Sequence, residues 1–358
     1  GIWMWLSPSG STLAYGGRDN KVTVRNLDVG TMFEISLGSE IEAVCGGKNW
    51  VATSTRDKRL RVHSAQDGDL LHDFFGRGRV KTLWPSSDGS VLAVGGWDKV
   101  VKVYDITTGE RTHSIRHEAR VNAVCGAKKG KMIAVGAGNA VFIYTLSSEP
   151  QSPNTPDSDD LLDIEDSGRW EVVHEIETRS DVTALWLSEN GITIALGLED
   201  GLSQVLELRD EGVEQLYQFQ LQGRVNSLWV TNDCGTMATA GQHPSVVLHD
   251  LKAGKVLHEL PQEAEVKSIS GVDVQLRHSE SADVHSGGSS RSSVPAMLAV
   301  GGVDCVVSIN NLATSEVQYE FEVQAEKDNA FVAKMSARST AVDGLAGWDD
   351  DRLLRPRS

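Results

Sequence analysis

The chain has 358 residues, more than the roughly 100–200 of a typical single domain. Its net charge is −16, from 50 acidic against 34 basic residues. Phosphate backbones and anionic membranes need concentrated positive charge, so neither nucleic acid nor a membrane surface is predicted as the main partner, although a local basic patch stays open. No long apolar run occurs, so no membrane insertion is predicted.

The chain begins at a position that matches the interior of a later unit. Gly1 aligns with Val80, which is the first residue of a predicted strand. We therefore expect the chain to start inside a structural element, as a fragment or an incomplete gene model would.

A repeated pattern of the form Leu-Ala-Val-Gly-Gly-x-Asp runs through the chain. It occurs in seven segments: residues 13–19, 51–57, 92–98, 133–138, 194–200, 237–243 and 298–304. Apolar stretches precede and follow each segment, so every unit contains four short strands joined by turns rich in Gly, Asp and Asn. This pattern predicts an antiparallel four-stranded sheet in each unit.

Seven such sheets bury both of their faces only when they stack around an axis. The second strand of each unit is predicted to be buried on both sides, with Ala and Gly leaving space for larger side chains of the next unit. We predict an all-β, seven-bladed propeller over residues 1–324, with a degenerate eighth repeat as an open alternative in the tail. The approximate repeats are 1–37, 38–75, 76–116, 117–177, 178–220, 221–261 and 262–324.

These units resemble the WD-repeat family. The dipeptide that ends the third strand is degenerate, with Tyr104-Asp105 and His249-Asp250 as the nearest matches, and the family's Gly-His survives only as His117. In the family, the turn aspartate bonds nearby backbone and polar side chains. The resemblance therefore implies a structural role for the matching residues, which are Asp19, Asp57, Asp98, Asp200 and Asp304.

Two inserts interrupt the repeats and are predicted to be disordered. Residues 150–168 hold six acidic residues, three prolines and no Lys or Arg. Within them Leu161, Leu162 and Ile164 fit a clathrin-box-like motif, and a solvated acidic loop is the alternative interpretation. Residues 277–294 hold seven serines and are typical of a linker.

The C-terminal part of the chain closes the repeat series. The fourth strand of the seventh unit is expected near residues 317–323, from the chain's own sequence rather than from an N-terminal strand. Residues 325–358 are predicted to be a tail or a partial repeat, because Gly347-Trp348-Asp349 echoes Gly96-Trp97-Asp98.

No motif for catalysis, nucleotide binding or metal binding occurs in the chain. Cys45 and Cys125 occupy positions where other repeats have tryptophan, which favours packing over reactivity. None of the four cysteines forms a C-x-x-C pair, so a reduced setting is predicted. We predict no enzyme activity, no cofactor and no metal, and a cytoplasmic location with the nucleus as an alternative.

One sector of the predicted ring gathers basic and aromatic residues. The loop before each first strand and the turn after each second strand share one face of a propeller. Arg56, Arg79, Trp97 and Arg120 are therefore expected to lie close together. Arginines beside an exposed tryptophan are typical of protein interfaces and favour an acidic or phosphorylated peptide. The alternative is that Trp97 folds onto its own blade while the arginines pair with turn aspartates.

The predicted function is an interaction scaffold or adaptor subunit that binds other proteins. This follows from the repeat architecture and from the lack of catalytic motifs. Two alternatives stay open. One is a vesicle-traffic component that uses the motif at 161–165, and the other is an enzyme or small-ligand binder with a site in the central channel.

Overall fold

The computed structural model describes residues 2–147, 168–273, 297–312, 316–325 and 331–336. These residues form seven antiparallel sheets, six with four strands and one with five. The sheets stand side by side around an axis, which confirms the predicted seven-bladed, all-β propeller. Within the described residues, one short 3-10 turn at Lys128–Gly130 interrupts the strands.

The strands are numbered in chain order, and each blade runs from the axis to the rim. The first strands, next to the axis, are β1 (Trp3–Leu6), β5 (Ile41–Gly46), β9 (Val80–Pro85), β13 (Val121–Ala127), β17 (Val182–Leu187), β21 (Val225–Val230) and β25 (Val266–Val272). The second strands are β2 (Thr12–Gly16), β6 (Trp50–Thr55), β10 (Val91–Gly96), β14 (Met132–Ala137), β18 (Thr193–Leu198), β22 (Thr236–Gly241) and β26 (Met297–Gly302).

The outer half of each blade follows in the same order. The third strands are β3 (Lys21–Asn26), β7 (Arg59–Ser64), β11 (Val100–Asp105), β15 (Ala140–Ser147), β19 (Leu202–Arg209), β23 (Ser245–Asp250) and β27 (Val306–Asn311). The fourth strands are β4 (Met32–Ser36), β8 (Leu70–Phe75), β12 (Arg111–Arg116), β16 (Arg169–Glu177), β20 (Gly212–Gln220), β24 (Lys255–Pro261) and β28 (Glu316–Ala325).

The second strands are buried on both faces, as the sequence predicts. Every residue of β6 and β14 is buried, as is all of β10 except its first residue. A glycine in these strands admits the first branched side chain of the following blade, so that a Cβ atom there would overlap it. The pairs of this kind are Gly16 with Ile41, Gly95 with Val121, Gly136 with Val182, and Gly197 with Val225.

A large residue meets a small one between the first strands of blades one and two, and again between those of blades three and four. The indoles of Trp5 and Trp84 lie against Gly46 and Gly126 of the next blade, at distances that leave no space for a Cβ atom. In each case the preceding residue, Cys45 or Cys125, takes the position that tryptophan has elsewhere and is buried. Burial raises the pKa of both thiols, which is consistent with a packing role.

The ring closes between β1 and the last blade by the same contacts that join the other blades. The Ile2 N–H donates to the Gly302 carbonyl at 3.2 Å, as the Ile41 N–H does to Gly17 at 3.1 Å. The Leu6 N–H also donates to the Ser270 hydroxyl at 3.0 Å. The blade seven sheet takes its fourth strand, β28, from the chain's own C-terminal part.

The blade seven sheet has a fifth strand that the sequence did not predict. Strand β29 (Phe331–Ser336) pairs antiparallel with β28, from Glu320↔Ser336 to Ala325↔Phe331. Residues 337–358, with the alternative of an eighth repeat, lie outside the described residues. The predicted inserts at 150–168 and 277–294 also lie outside them, apart from Gly168.

Candidate functional site

One face of the ring, here called the upper face, is organised by a recurring backbone hydrogen bond. The residue before the turn that follows each second strand donates its N–H to the carbonyl of the residue before the first strand. The bonds are Arg56 to Glu40 (2.8 Å), Trp97 to Arg79 (3.0 Å), Gly138 to Arg120 (3.3 Å), Glu199 to Asp181 (2.9 Å), Gln242 to Arg224 (3.1 Å) and Val303 to Glu265 (3.0 Å). The two loops named in the sequence prediction therefore lie together in these six blades.

A β-bulge near the start of six first strands adds a second layer to this face. At each bulge one residue is left without a partner on the neighbouring strand, so that the strand bends there. These residues are Glu42, Lys81, Asn122, Thr183, Asn226 and Lys267. All of them except Glu42 line the mouth of the central channel.

Trp97 lies between two arginines from adjacent blades. Its side chain is 40% exposed at the tip of the turn after β10. The guanidinium carbons of Arg79 and Arg120 lie 4.6 Å and 4.7 Å from the centre of the indole, and the Lys81 ammonium lies 5.7 Å from it. These distances are within the range of cation–π contacts. We call Arg79, Lys81, Trp97 and Arg120 the Trp97 cluster.

Glu42 anchors the Trp97 cluster from below. Its carboxylate is only 4% exposed and forms ion pairs with both Arg79 and Lys81. Burial lowers the pKa of Lys81 to about 8, and the Arg79 charge acts in the same direction, so its ammonium is still protonated at pH 7. The exposed Arg120 has no ion-pair partner among the described residues. The Trp97 cluster thus presents three cations against one carboxylate.

The structure brings together three of the four residues that were expected in this sector. Arg56 forms no contact with the indole among the described residues; its guanidinium pairs with Glu40 at 2.9 Å on the blade two loop. Neither Arg79 nor Arg120 pairs with a turn aspartate in the described residues. The sequence prediction missed Lys81 and Glu42. Both residues stand at a bulge, two positions after the residue that precedes the first strand. There the Lys81 side chain lines the channel mouth, whereas the Glu42 carboxylate is buried.

The rest of the upper face is closer to charge balance. Arg224 holds Glu199 with two hydrogen bonds of 2.6 Å and 2.8 Å. Lys267 pairs with Glu265 at 2.6 Å, and the Asn226 amide donates to the same carboxylate at 2.9 Å. The Trp97 cluster therefore has two more positive than negative groups, whereas these two pairs are balanced.

The turn aspartates cap the loops that carry these side chains. A carboxylate oxygen accepts the N–H two residues later, at 3.4 Å for Asp57 and Asp98, 3.1 Å for Asp200 and 3.2 Å for Asp304. Asp19 likewise accepts from the backbone of Lys21, and burial raises its pKa. In each case the next residue has the left-handed conformation, at Asn20, Lys58, Lys99, Gly201 and Cys305. This geometry is that of a tight turn with a side-chain cap.

We expect Gly96→Ala to destabilise the turn beneath Trp97. An added Cβ atom would overlap the Arg79 carbonyl, which accepts the Trp97 N–H and has no freedom to move. The free energy of unfolding in urea should fall by about 1–3 kcal/mol. The matched control is Gly302→Ala in blade seven, where the nearest atom is the Asp304 carboxylate; this exposed side chain can turn away, and only its hydrogen bond with the Val306 N–H is lost. Equal losses in the two variants would contradict this account.

Two further predicted sites remain, the central channel and the motif at 161–165. The channel holds a cavity of about 770 Å³ with the polar bulge residues at its mouth. No histidine of the described part of the chain lines this cavity. The described residues also contain no group of three or more His, Cys, Asp or Glu arranged to hold a metal ion. Leu161, Leu162 and Ile164 lie outside the described residues.

In the ranges that the structure describes, no helix has the length and apolar character needed to cross a bilayer.

Comparison with known proteins gives one family match. A family model described as "WD domain, G-beta repeat" matches residues 68–105. The match covers β8 of blade two and β9 to β11 of blade three, and so includes Arg79, Lys81 and Trp97. No curated protein matches the chain in sequence.

Proposed function

Because the chain belongs to the WD-repeat family, we propose that it is a protein-interaction scaffold whose ligand binds at the Trp97 cluster. WD-repeat propellers typically bind other proteins and are generally not enzymes. The observation that carries the proposal is an exposed indole with the guanidinium carbons of Arg79 and Arg120 at 4.6 Å and 4.7 Å from its centre. Buried aromatic and arginine anchors dominate the energy of protein interfaces.

We propose that the ligand is an acidic or phosphorylated peptide. Arg79 and Lys81 share a single carboxylate, and Arg120 has no ion pair among the described residues, so the Trp97 cluster has unbalanced positive charge. A phosphate or carboxylate can accept two parallel hydrogen bonds from the Arg120 guanidinium. In this arrangement Arg79 orients the indole, because its own charge is already matched by Glu42, whereas Arg120 provides the charge that meets the ligand.

Arg120→Glu and Trp97→Ala test this proposal in a pull-down with quantitative mass spectrometry. Each change should lower the recovery of the partner by roughly 30-fold, which corresponds to the loss of about 2 kcal/mol at an interface anchor. Both residues are exposed at loop tips, so the folded state should be retained. The matched control is Val303→Ala, which alters the equivalent turn of blade seven. It should leave recovery unchanged.

The phosphorylation state of the ligand needs a separate measurement. Peptides from the recovered partner would be titrated in phosphorylated, unmodified and glutamate-substituted forms. The proposal requires that the unmodified, non-acidic form binds most weakly and that Arg120→Glu removes the difference. Recovery of every partner by the folded Arg120→Glu and Trp97→Ala variants would refute the Trp97 cluster as the binding site.

A further inference from the structure

Blades four and six carry the same Arg-Val-Asn tripeptide at the start of their first strands. It stands at residues 120–122 in blade four and at residues 224–226 in blade six. In both blades the arginine precedes the first strand, the valine is buried, and the asparagine is the unpaired residue of the bulge. The two tripeptides differ in the side chains that the neighbouring blades present to them. Blade six therefore shows which groups the tripeptide binds when the protein supplies them.

In blade six, the protein itself binds both polar side chains of the tripeptide. Arg224 donates hydrogen bonds of 2.6 Å and 2.8 Å to the carboxylate of Glu199, which stands before the turn aspartate of the preceding blade. The Asn226 carboxamide donates to the Glu265 carboxylate at 2.9 Å and to the Val266 carbonyl at 2.8 Å. Both of these acceptors belong to the following blade. The tripeptide thus binds a carboxylate through its arginine and a backbone carbonyl through its asparagine.

In blade four, the same two side chains lack these partners. The residue that meets the arginine from the preceding blade is Trp97, so the Arg120 guanidinium lies over an indole and pairs with no carboxylate of the described residues. The residue before the following first strand is Asp181, whose side chain is one methylene group shorter than a glutamate. The Asn122 carboxamide lines the channel mouth, as Asp181 does, and has no hydrogen-bond partner in the described part of the chain. A charged donor and an amide therefore face solvent side by side.

On the basis of the function proposed for the Trp97 cluster, we propose that Asn122 binds a backbone peptide group of the ligand, beside the acidic group that Arg120 binds. A carboxamide has an acceptor oxygen and an NH₂ donor, so it can accept from a peptide N–H and donate to a peptide carbonyl. The exposed Asp181 carboxylate, which forms no ion pair with any described residue, repels a second anion at this place. The ligand is thus a peptide that runs from its acidic residue toward the channel mouth, and not a free phosphate or another small anion.

Titration of the ¹⁵N-labelled full chain with acetyl-Gly-Glu-Gly-amide tests the role of Asn122. The indole N–H signal of Trp97 and the carboxamide signals of Asn122 should shift and saturate together. Asn122→Ala should weaken binding roughly tenfold, which corresponds to the loss of one or two neutral hydrogen bonds. Two further peptides carry a methyl group on the amide nitrogen of the glutamate or of the glycine after it. One of them should bind the unmodified chain roughly fivefold more weakly than the parent peptide, whereas Asn122→Ala should bind both equally.

Asn226→Ala is the matched control, because it removes the same side chain from blade six. It should lower the urea midpoint of unfolding, since two hydrogen bonds to protein groups are lost, and leave the peptide affinity unchanged. Asn122→Ala should instead lower the affinity and leave the midpoint unchanged. A shift of the Trp97 signal with unchanged affinity in Asn122→Ala would overturn the role of Asn122 alone. No Trp97 shift with any of the peptides would remove the Trp97 cluster as the binding site, and the role of Asn122 with it.

Discussion

Lowering the pH from 7 to 5 is expected to remove about 4 kcal/mol from the free energy of unfolding through two buried histidines, His117 and His249, about 2 kcal/mol from each. Burial lowers the pKa of both imidazoles to about 4. His117 is buried beside Phe142 and Tyr144, with ring centres 5.1 Å and 5.8 Å away. No carboxylate faces either ring closely enough to form an ion pair among the described residues.

The sign follows from which state binds protons first. In the unfolded chain a histidine takes up a proton near its ordinary pKa of about 6.5, whereas the folded chain resists protonation down to about 4. Between these values the unfolded state holds more protons, so stability falls as the pH falls. Above about 6.5 both states are neutral and the effect disappears. Burial also lowers the pKa of His63, which acts in the same direction.

Urea unfolding at pH 7, 6 and 5 would measure this effect. The unmodified chain should be compared with His117→Leu/His249→Gln, since the difference between the two removes the shared contribution of the carboxylates. The double variant should lose about 4 kcal/mol less than the unmodified chain over this range. His258→Gln, at an exposed position on β24, serves as the control and should follow the unmodified chain. If the free energy of unfolding falls equally with pH in all three proteins, neither imidazole is protected from protonation in the folded state.

Most of the fold was predictable because each repeat has, at fixed positions, the residues through which it packs against the next blade. A small residue on a second strand faces the first branched residue of the next blade, as Gly95 does with Val121. On the first strands, Cys45 and Cys125 stand beside the glycines on which the indoles of the preceding blades pack. Strand β29 was not predictable in this way, because its pairing with β28 repeats no pattern from the other blades.

The candidate site was predictable only at the level of loops. Arg79 and Arg120 were placed on one sector by their position before a first strand, and Trp97 by its position before a turn aspartate; the structure brings these three side chains together. The position of an arginine in the repeat does not predict which neighbouring side chain it will contact. Arg56 was therefore included in the sector, although its guanidinium pairs with Glu40. Lys81 was missed because a strand residue is expected to alternate between faces, and the bulge at this point breaks that alternation.

Glu42→Ala is expected to lower the free energy of unfolding by about 3 kcal/mol, the low end of the cost of breaking a buried ion pair. The change leaves Arg79 and Lys81 without their shared counter-charge. The side chains of these two cations are 22% and 27% exposed, so they can turn partly toward water, and this keeps the cost at the low end. Glu42→Gln preserves the shape and should cost less, because the amide oxygen still accepts a hydrogen bond.

Glu40→Ala provides a matched control two residues away. Its carboxylate pairs with Arg18 and Arg56 at the surface, where such pairs contribute roughly 0–1 kcal/mol. Urea unfolding should therefore separate the two variants by about 2 kcal/mol. Similar small losses would mean that the Glu42 carboxylate is solvated in solution. The rigid base of the Trp97 cluster would then disappear, and ligand binding would have to rely on Arg120 alone.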